Sequence, residues 1–213
     1  MSSQHDTIRL REELSQTIAS HIVDGGLDWA AARARALEDF SKRTRLPANA
    51  LPTSEQIETA VRAHFALFDA QGHARVLLAK RRLAVRVLGI LGEFDAYLTG
   101  AVLNGAATRD SPVCIEVFTD DIKAVLAALM DAGLDIEALD PRTSAFGRAI
   151  ESVGFILPWD GGFEAVRIDV LEPQQRFANP ARRRCDAYQS EWEALGRISA
   201  ENLQKIIEHS LSS

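Results

Sequence analysis

The chain has 213 residues, of which 46% are hydrophobic, 25% charged and 7% aromatic; 24 Lys plus Arg against 30 Asp plus Glu leave a net charge of −6. That is the make-up of a folded globular protein of one ordinary domain or two small ones, and it excludes a collagenous, disulfide-stapled or largely disordered chain. The acidic balance argues against non-specific nucleic-acid binding as the main task, because a whole-protein basic field is missing.

Along the first hundred residues the apolar pattern is helical. Leu10, Leu14, Ile18 and Ile22 recur every four residues and predict one helix, ended by Gly25 and Gly26. Asp28 is placed to cap a second helix carrying Trp29, Ala32, Ala36, Leu37 and Phe40. Residues 44–52, TRLPANALP, read as a turn-rich linker, and Thr53 with Gln56 fits a capping box for a third helix built on Ile57, Val61, Phe65 and Phe68. Gly72 is expected to separate this from a longer helix holding Val76, Leu83, Val87, Leu91 and Phe94, with Arg75, Lys80, Arg81, Arg82 and Arg86 as a solvated basic face.

The period then changes. YLTGAV begins extended and ends its strand at Gly100, and VCIEVF, residues 113–118, alternates as a strand. DDIKAVLAALMDAG predicts an amphipathic helix with Ile122, Val125, Leu126, Leu129 and Met130 inside, capped by Asp120 or Asp121 and ended by Gly133. VGFIL and AVRIDVL read as two strands joined by PWDGGF, a hairpin turn with Trp159 at its tip. The tail is polar, contains Arg182–Arg184, and closes with a helix capped by Ser199. Trp29 and Trp192 read as packing residues. The expected fold class is α+β, a helical N-terminal segment packed on a small mixed-sheet domain. Four stretches are distinguished: 1–50 as an N-terminal helical segment, 51–98 as a helical hairpin, 99–175 as an α/β core and 176–213 as a helical tail.

Cys114 and Cys185 form no CxxC and no Cys/His ligand spacing, so a zinc site has little support and a reduced, cytoplasmic setting is expected. The N-terminal MSSQHDTIRLREELSQ is polar, and the most apolar stretch, residues 81–98, is interrupted by Arg86, Glu93 and Asp95; neither a signal peptide nor a membrane span is expected.

The chemistry concentrates in residues 99–121, TGAVLNGAATRDSPVCIEVFTDD. A strand ends on a glycine, a tight turn follows, and a polar loop leads to an alternating strand. This arrangement resembles the signature of the polymerase-β-like nucleotidyltransferases, in which a Gly-Ser pair precedes Ser-Asp-h-Asp-h, h being apolar. The resemblance covers residues 97–172. It implies that Gly100, Ala101 in the serine place, Gly105 and Ser111 lie at a nucleoside triphosphate, whose phosphates a glycine turn and a serine hydroxyl would hold. It also implies two strand carboxylates that bind divalent metal. Pro112 and Cys114 stand where those aspartates belong. Proline has no ligand atom and a thiolate is too soft for magnesium, which wants hard oxygens. Glu116, on the same strand face as Cys114, and Asp169, on AVRIDVL, are the remaining metal candidates; magnesium is the implied cofactor if any catalysis survives. Arg167, two residues from Asp169, offers that carboxylate a salt-bridge partner instead.

A narrower resemblance is to small bacterial proteins that carry YLTGAV followed by NG and are sometimes named UDP-N-acetylmuramate–alanine ligase. That activity needs an ATP-binding P-loop, and GxxxxGK[ST] does not occur in this chain. The expectation is therefore a catalytically degenerate nucleotidyltransferase-like protein that binds a nucleotide or a protein partner. An active metal-dependent nucleotidyltransferase using Glu116 and Asp169 is the alternative. A third reading takes the Gly-Gly turn and Arg33, Arg35, Lys42, Arg43 and Arg45 as a helix-turn-helix for DNA.

Overall fold

The computed structural model describes residues 2–43, 47–143, 149–177 and 185–212. Internal contacts divide the chain into two compact units, Met1–His73 and Ala74–Ser213. The architecture is α+β: the first unit is helical and the second is built on a mixed sheet.

In the first unit, α1 (Ser2–Val23) packs against α2 (Trp29–Ser41) and α3 (Ser54–Phe68). The four-residue stripe makes this possible, since Leu14, Ile18 and Ile22 are buried with Ala32, Ala36, Phe40, Ile57, Val61 and Phe65. The helix starts are set by side-chain chemistry. The Asp28 carboxylate accepts from the amides of Ala30 and Ala31, and Thr53 and Gln56 form a complete capping box. Asp24, just past α1, accepts from the Ser20 hydroxyl and lies 3.1 Å from His64 Nε2 on α3. The Ser20 hydrogen bond, with His64 adding to it, holds the Asp24 carboxyl below the ordinary carboxylate value.

The break after α3 falls at Asp69, three residues before the expected Gly72. The Asp69 carboxylate accepts from the Gly72 amide at 3.1 Å and so starts α4 (Ala70–Ile90). A Cβ at Gly72 would stand 2.4 Å from those carboxylate oxygens, so the glycine accommodates the cap inside the helix instead of separating two helices.

Among the described residues the second unit holds six strands in the order β3-β4-β5-β2-β1-β6: β1 (Asp95–Thr99), β2 (Val113–Phe118), β3 (Glu137–Thr143), β4 (Ala149–Trp159), β5 (Gly162–Leu171) and β6 (Arg197–Ile198). β2 and β5 are parallel and every other pair is antiparallel. α5 (Gly100–Asn104) follows β1, α6 (Ile122–Asp131) follows β2, and α7 (Ala200–Ser212) follows β6. Strand alternation sorts the side chains by face. Val113, Ile115, Val117, Val153, Phe155, Val166 and Ile168 enter one core with Leu83 and Val87 of α4, Val125 and Leu129 of α6 and Leu203 of α7. Cys114, Glu116, Arg167 and Asp169 occupy the alternate positions.

Several side chains depart from the sequence reading. Lys80 is wholly buried and Arg81 nearly so, not solvated. Lys80 donates to Ser111 O at 2.9 Å and pairs with Glu164; Arg81 donates to Val102 O and Leu103 O and pairs with Glu193. Both charges therefore act as internal braces. Trp159 is half-buried, its indole donating to Ala79 O at 2.8 Å under the guanidinium of Arg86. Met130 is 63% exposed and Trp192 is exposed as well. β3 and β6 have no counterpart among the expected strands.

Candidate functional site

β1 delivers the first element of the site. Thr99 is paired with Cys114 across the β1–β2 ladder, and the chain turns at Gly100 with φ +70°. Gly100 is exposed there, and a Cβ built on it would meet Cys114 Cβ at 3.6 Å, an ordinary contact. The left-handed backbone, not lack of room, is what calls for glycine. Ala101 is half-buried in the first turn of α5.

Gly105 and Ser111 lie near in sequence but serve the loop itself. Gly105 closes α5 in a left-handed C-cap, is buried, and donates its amide to Ala101 O. The Ser111 hydroxyl accepts from the Thr108 amide at 2.9 Å and lies 3.1 Å from the Thr108 hydroxyl.

The two carboxylates come together. Glu116 and Asp169 are direct partners in the parallel β2–β5 register, on one face of the sheet. Each is already engaged. Arg197 of β6 pairs with Glu116 at 3.4 Å, its guanidinium lying 4.8 Å from the Phe118 ring. Arg167 donates Nε to Asp169 Oδ1 at 2.7 Å and Nη2 to the Ser152 hydroxyl at 2.7 Å, while Ser152 donates to the same Asp169 oxygen at 2.6 Å. Asp169 is 8% exposed, so this closed ring of bonds is what makes the buried carboxylate tolerable.

Toward β6 the face continues through Tyr97, opposite Glu116, whose hydroxyl donates to Asp95 at 2.7 Å. Asp95 also pairs with Arg176 at 2.9 Å. Burial, and then the Asp95 carboxylate, raise the Tyr97 hydroxyl above its ordinary pKa of 10.0.

This donor set does not suit magnesium. Among the described residues no group of three or more His, Cys, Asp or Glu is placed to hold a metal ion. Glu116 and Asp169 each face a guanidinium, which supplies the positive charge a cation would otherwise bring and repels one that approaches. Cys114, in an aspartate place beside Gly100, offers only a soft donor.

A concave pocket of about 260 Å³ opens at the far end of the β2–β5 pair, lined by Thr119, Asp120, Glu151, Glu172 and Gln175 among others. None of the residues expected at the site from sequence lines it. The positive side chains of α2 are also placed. Arg33 reaches Pro52 O at 3.5 Å, Arg35 pairs with Asp39, and Lys42 pairs with Glu38 and Asp39. Arg45 and Arg182–Arg184 lie outside the described residues. No helix among the described residues is long and apolar enough to cross a membrane.

Sequence reasoning missed Arg197 and Ser152. Arg197 lies on a two-residue strand, too short for any periodic signal, and Ser152 becomes visible only once β4 is registered against β5. Neither a protein-family model nor a curated protein matches the chain.

Proposed function

We propose that the Ala74–Ser213 unit is a catalytically silent, nucleotidyltransferase-like module that binds a nucleotide on the Cys114 and Glu116 face of its sheet without a metal. The observation that carries this reading is the engagement of both strand carboxylates by arginine, Glu116 by Arg197 and Asp169 by Arg167. Two-metal phosphoryl chemistry needs carboxylates free to coordinate cations that clamp the attacking and leaving oxygens. Here Pro112 and Cys114 occupy the aspartate places, and the carboxylates that remain on that face, Glu116 and Asp169, form internal ion pairs. The turn at the exposed Gly100 keeps an approach for phosphate oxygens.

The active alternative draws on one observation, the shared register position of Glu116 and Asp169 on one face. Calorimetry with ATP, GTP, CTP and UTP, each in magnesium and in EDTA, separates the readings. The silent module binds a nucleotide equally in both. Binding that requires magnesium and disappears in Asp169→Ala revives the enzyme. Absence of binding overturns the nucleotide reading and turns the search to protein partners.

A further inference from the structure

The β4–β5 hairpin runs beyond the rest of the sheet. β2 meets β5 only from Val166 onward, so residues 156–165 form a two-stranded overhang. An isolated two-stranded ribbon is marginal in water. This one is pinned along one side to α4, by Trp159 bonding to Ala79 O, by Arg86 over the Trp159 ring, and by Glu164 paired with Lys80. Its other side presents Phe163 and Ile156 to solvent at 78% and 70% exposure, with the exposed Pro158 paired opposite Phe163. The result is a held, apolar, aromatic platform whose outer side stays exposed among the described residues.

Its position narrows what it takes. Phe163, Ala165, Arg167 and Asp169 alternate along β5, so the platform continues the face that carries Cys114 and Glu116. From the Thr99–Gly100 turn to Phe163 is two strand spacings across and four residues along, about 16 Å. That span matches an extended nucleoside triphosphate. The two large side chains offer roughly 300 Å² of apolar surface, against about 800 Å² that each partner of a stable protein interface buries. A second copy of the chain is therefore too large an occupant for so small a patch, and a planar ring is the right size.

We infer that Phe163, flanked by Ile156, is a stacking platform for a nucleobase whose phosphates lie toward the Gly100 turn. This rests on the nucleotide-binding reading above. Stacking on an aromatic face tolerates any base and increases with ring area, so purine nucleotides bind more tightly than pyrimidine nucleotides. The test is calorimetry of ATP, GTP, CTP, UTP and inorganic tripolyphosphate with the full chain, its Phe163→Ala variant and its Phe163→Trp variant. Phe163 is exposed, so neither substitution removes core packing. Phe163→Ala is expected to weaken purine nucleotides about tenfold, the low-to-middle range of a lost base–aromatic stack, and to leave tripolyphosphate unchanged. Phe163→Trp is expected to retain nucleotide affinity. Wild-type binding of nucleotides that Phe163→Ala does not alter overturns the platform and leaves the underlying reading standing. Failure of the wild type to bind any nucleotide overturns both. A dimer in sedimentation that Phe163→Ala dissolves assigns the patch to a second copy and overturns the inference.

Discussion

Lys80 shows what a single residue does in this molecule. Its side chain is wholly buried, yet it keeps a carbonyl acceptor at Ser111 and a carboxylate partner at Glu164. The first contact ties α4 to the loop that precedes β2, and the second ties it to the overhanging end of the β4–β5 hairpin. Removing one member of a buried pair strands the other and leaves a void, at a cost of about 3–5 kcal/mol, a large share of the ~5–15 kcal/mol that holds a domain together. Lys80→Ala is therefore expected to lower stability by about that amount in urea denaturation. Lys80→Met combined with Glu164→Gln is expected to recover part of the loss, because no charge is then left without its partner. A loss under about 1 kcal/mol in Lys80→Ala would mean that water or a neighbouring group replaces the ammonium.

At the scale of elements, the starts of helices were more legible than the strands at the sheet edges. Asp28, Thr53 with Gln56, and Asp121 each cap the helix that the sequence pattern assigned to them. Caps are local, and three or four residues contain the whole interaction. The capping box makes this measurable. Thr53→Ala is expected to cost about 1 kcal/mol, and a Thr53→Ala/Gln56→Ala double variant less than the sum of the two single losses, because the two bonds are reciprocal. Additive losses in a denaturant titration of the full chain would mean that the box does not act as a unit. The edge strands lack such local chemistry. β3 contains Asp140 and Pro141 at a break in its register with β4, and β6 is two residues long. Each is a strand because a neighbour pairs with it, which no window of the sequence contains. Met130 failed for a related reason: its place in the helical period is right, but none of the described residues covers that edge of α6, and it stays 63% exposed.

At the scale of the whole molecule, the same distinction governs what the sequence told about the site. The Gly100 turn and the Glu116/Asp169 pair were visible as a pattern, because strand alternation fixes which residues share a face. That both carboxylates are bound by arginine was half visible: Arg167 lies two residues from Asp169, whereas Arg197 arrives from 81 positions beyond Glu116. Charge distribution has the same character, since a list of basic residues does not say which of them are already paired. The helix-turn-helix reading rested on Arg33, Arg35, Lys42 and Arg43 around α2. In the fold Arg33 turns to a carbonyl, and Arg35 and Lys42 are paired with acids of their own helix, within a chain of net charge −6. DNA binding draws its affinity from releasing counterions by uncompensated cations, so log affinity falls with log salt by about 0.9 per phosphate neutralised. Labelled duplex DNA titrated with the full chain in fluorescence anisotropy is therefore expected to show no binding at physiological salt, and only a shallow dependence where lowered salt permits any. A steep slope, lost when Arg35 and Lys42 are both replaced by alanine, would show that these ion pairs open for phosphate and would return the helical unit to nucleic-acid recognition.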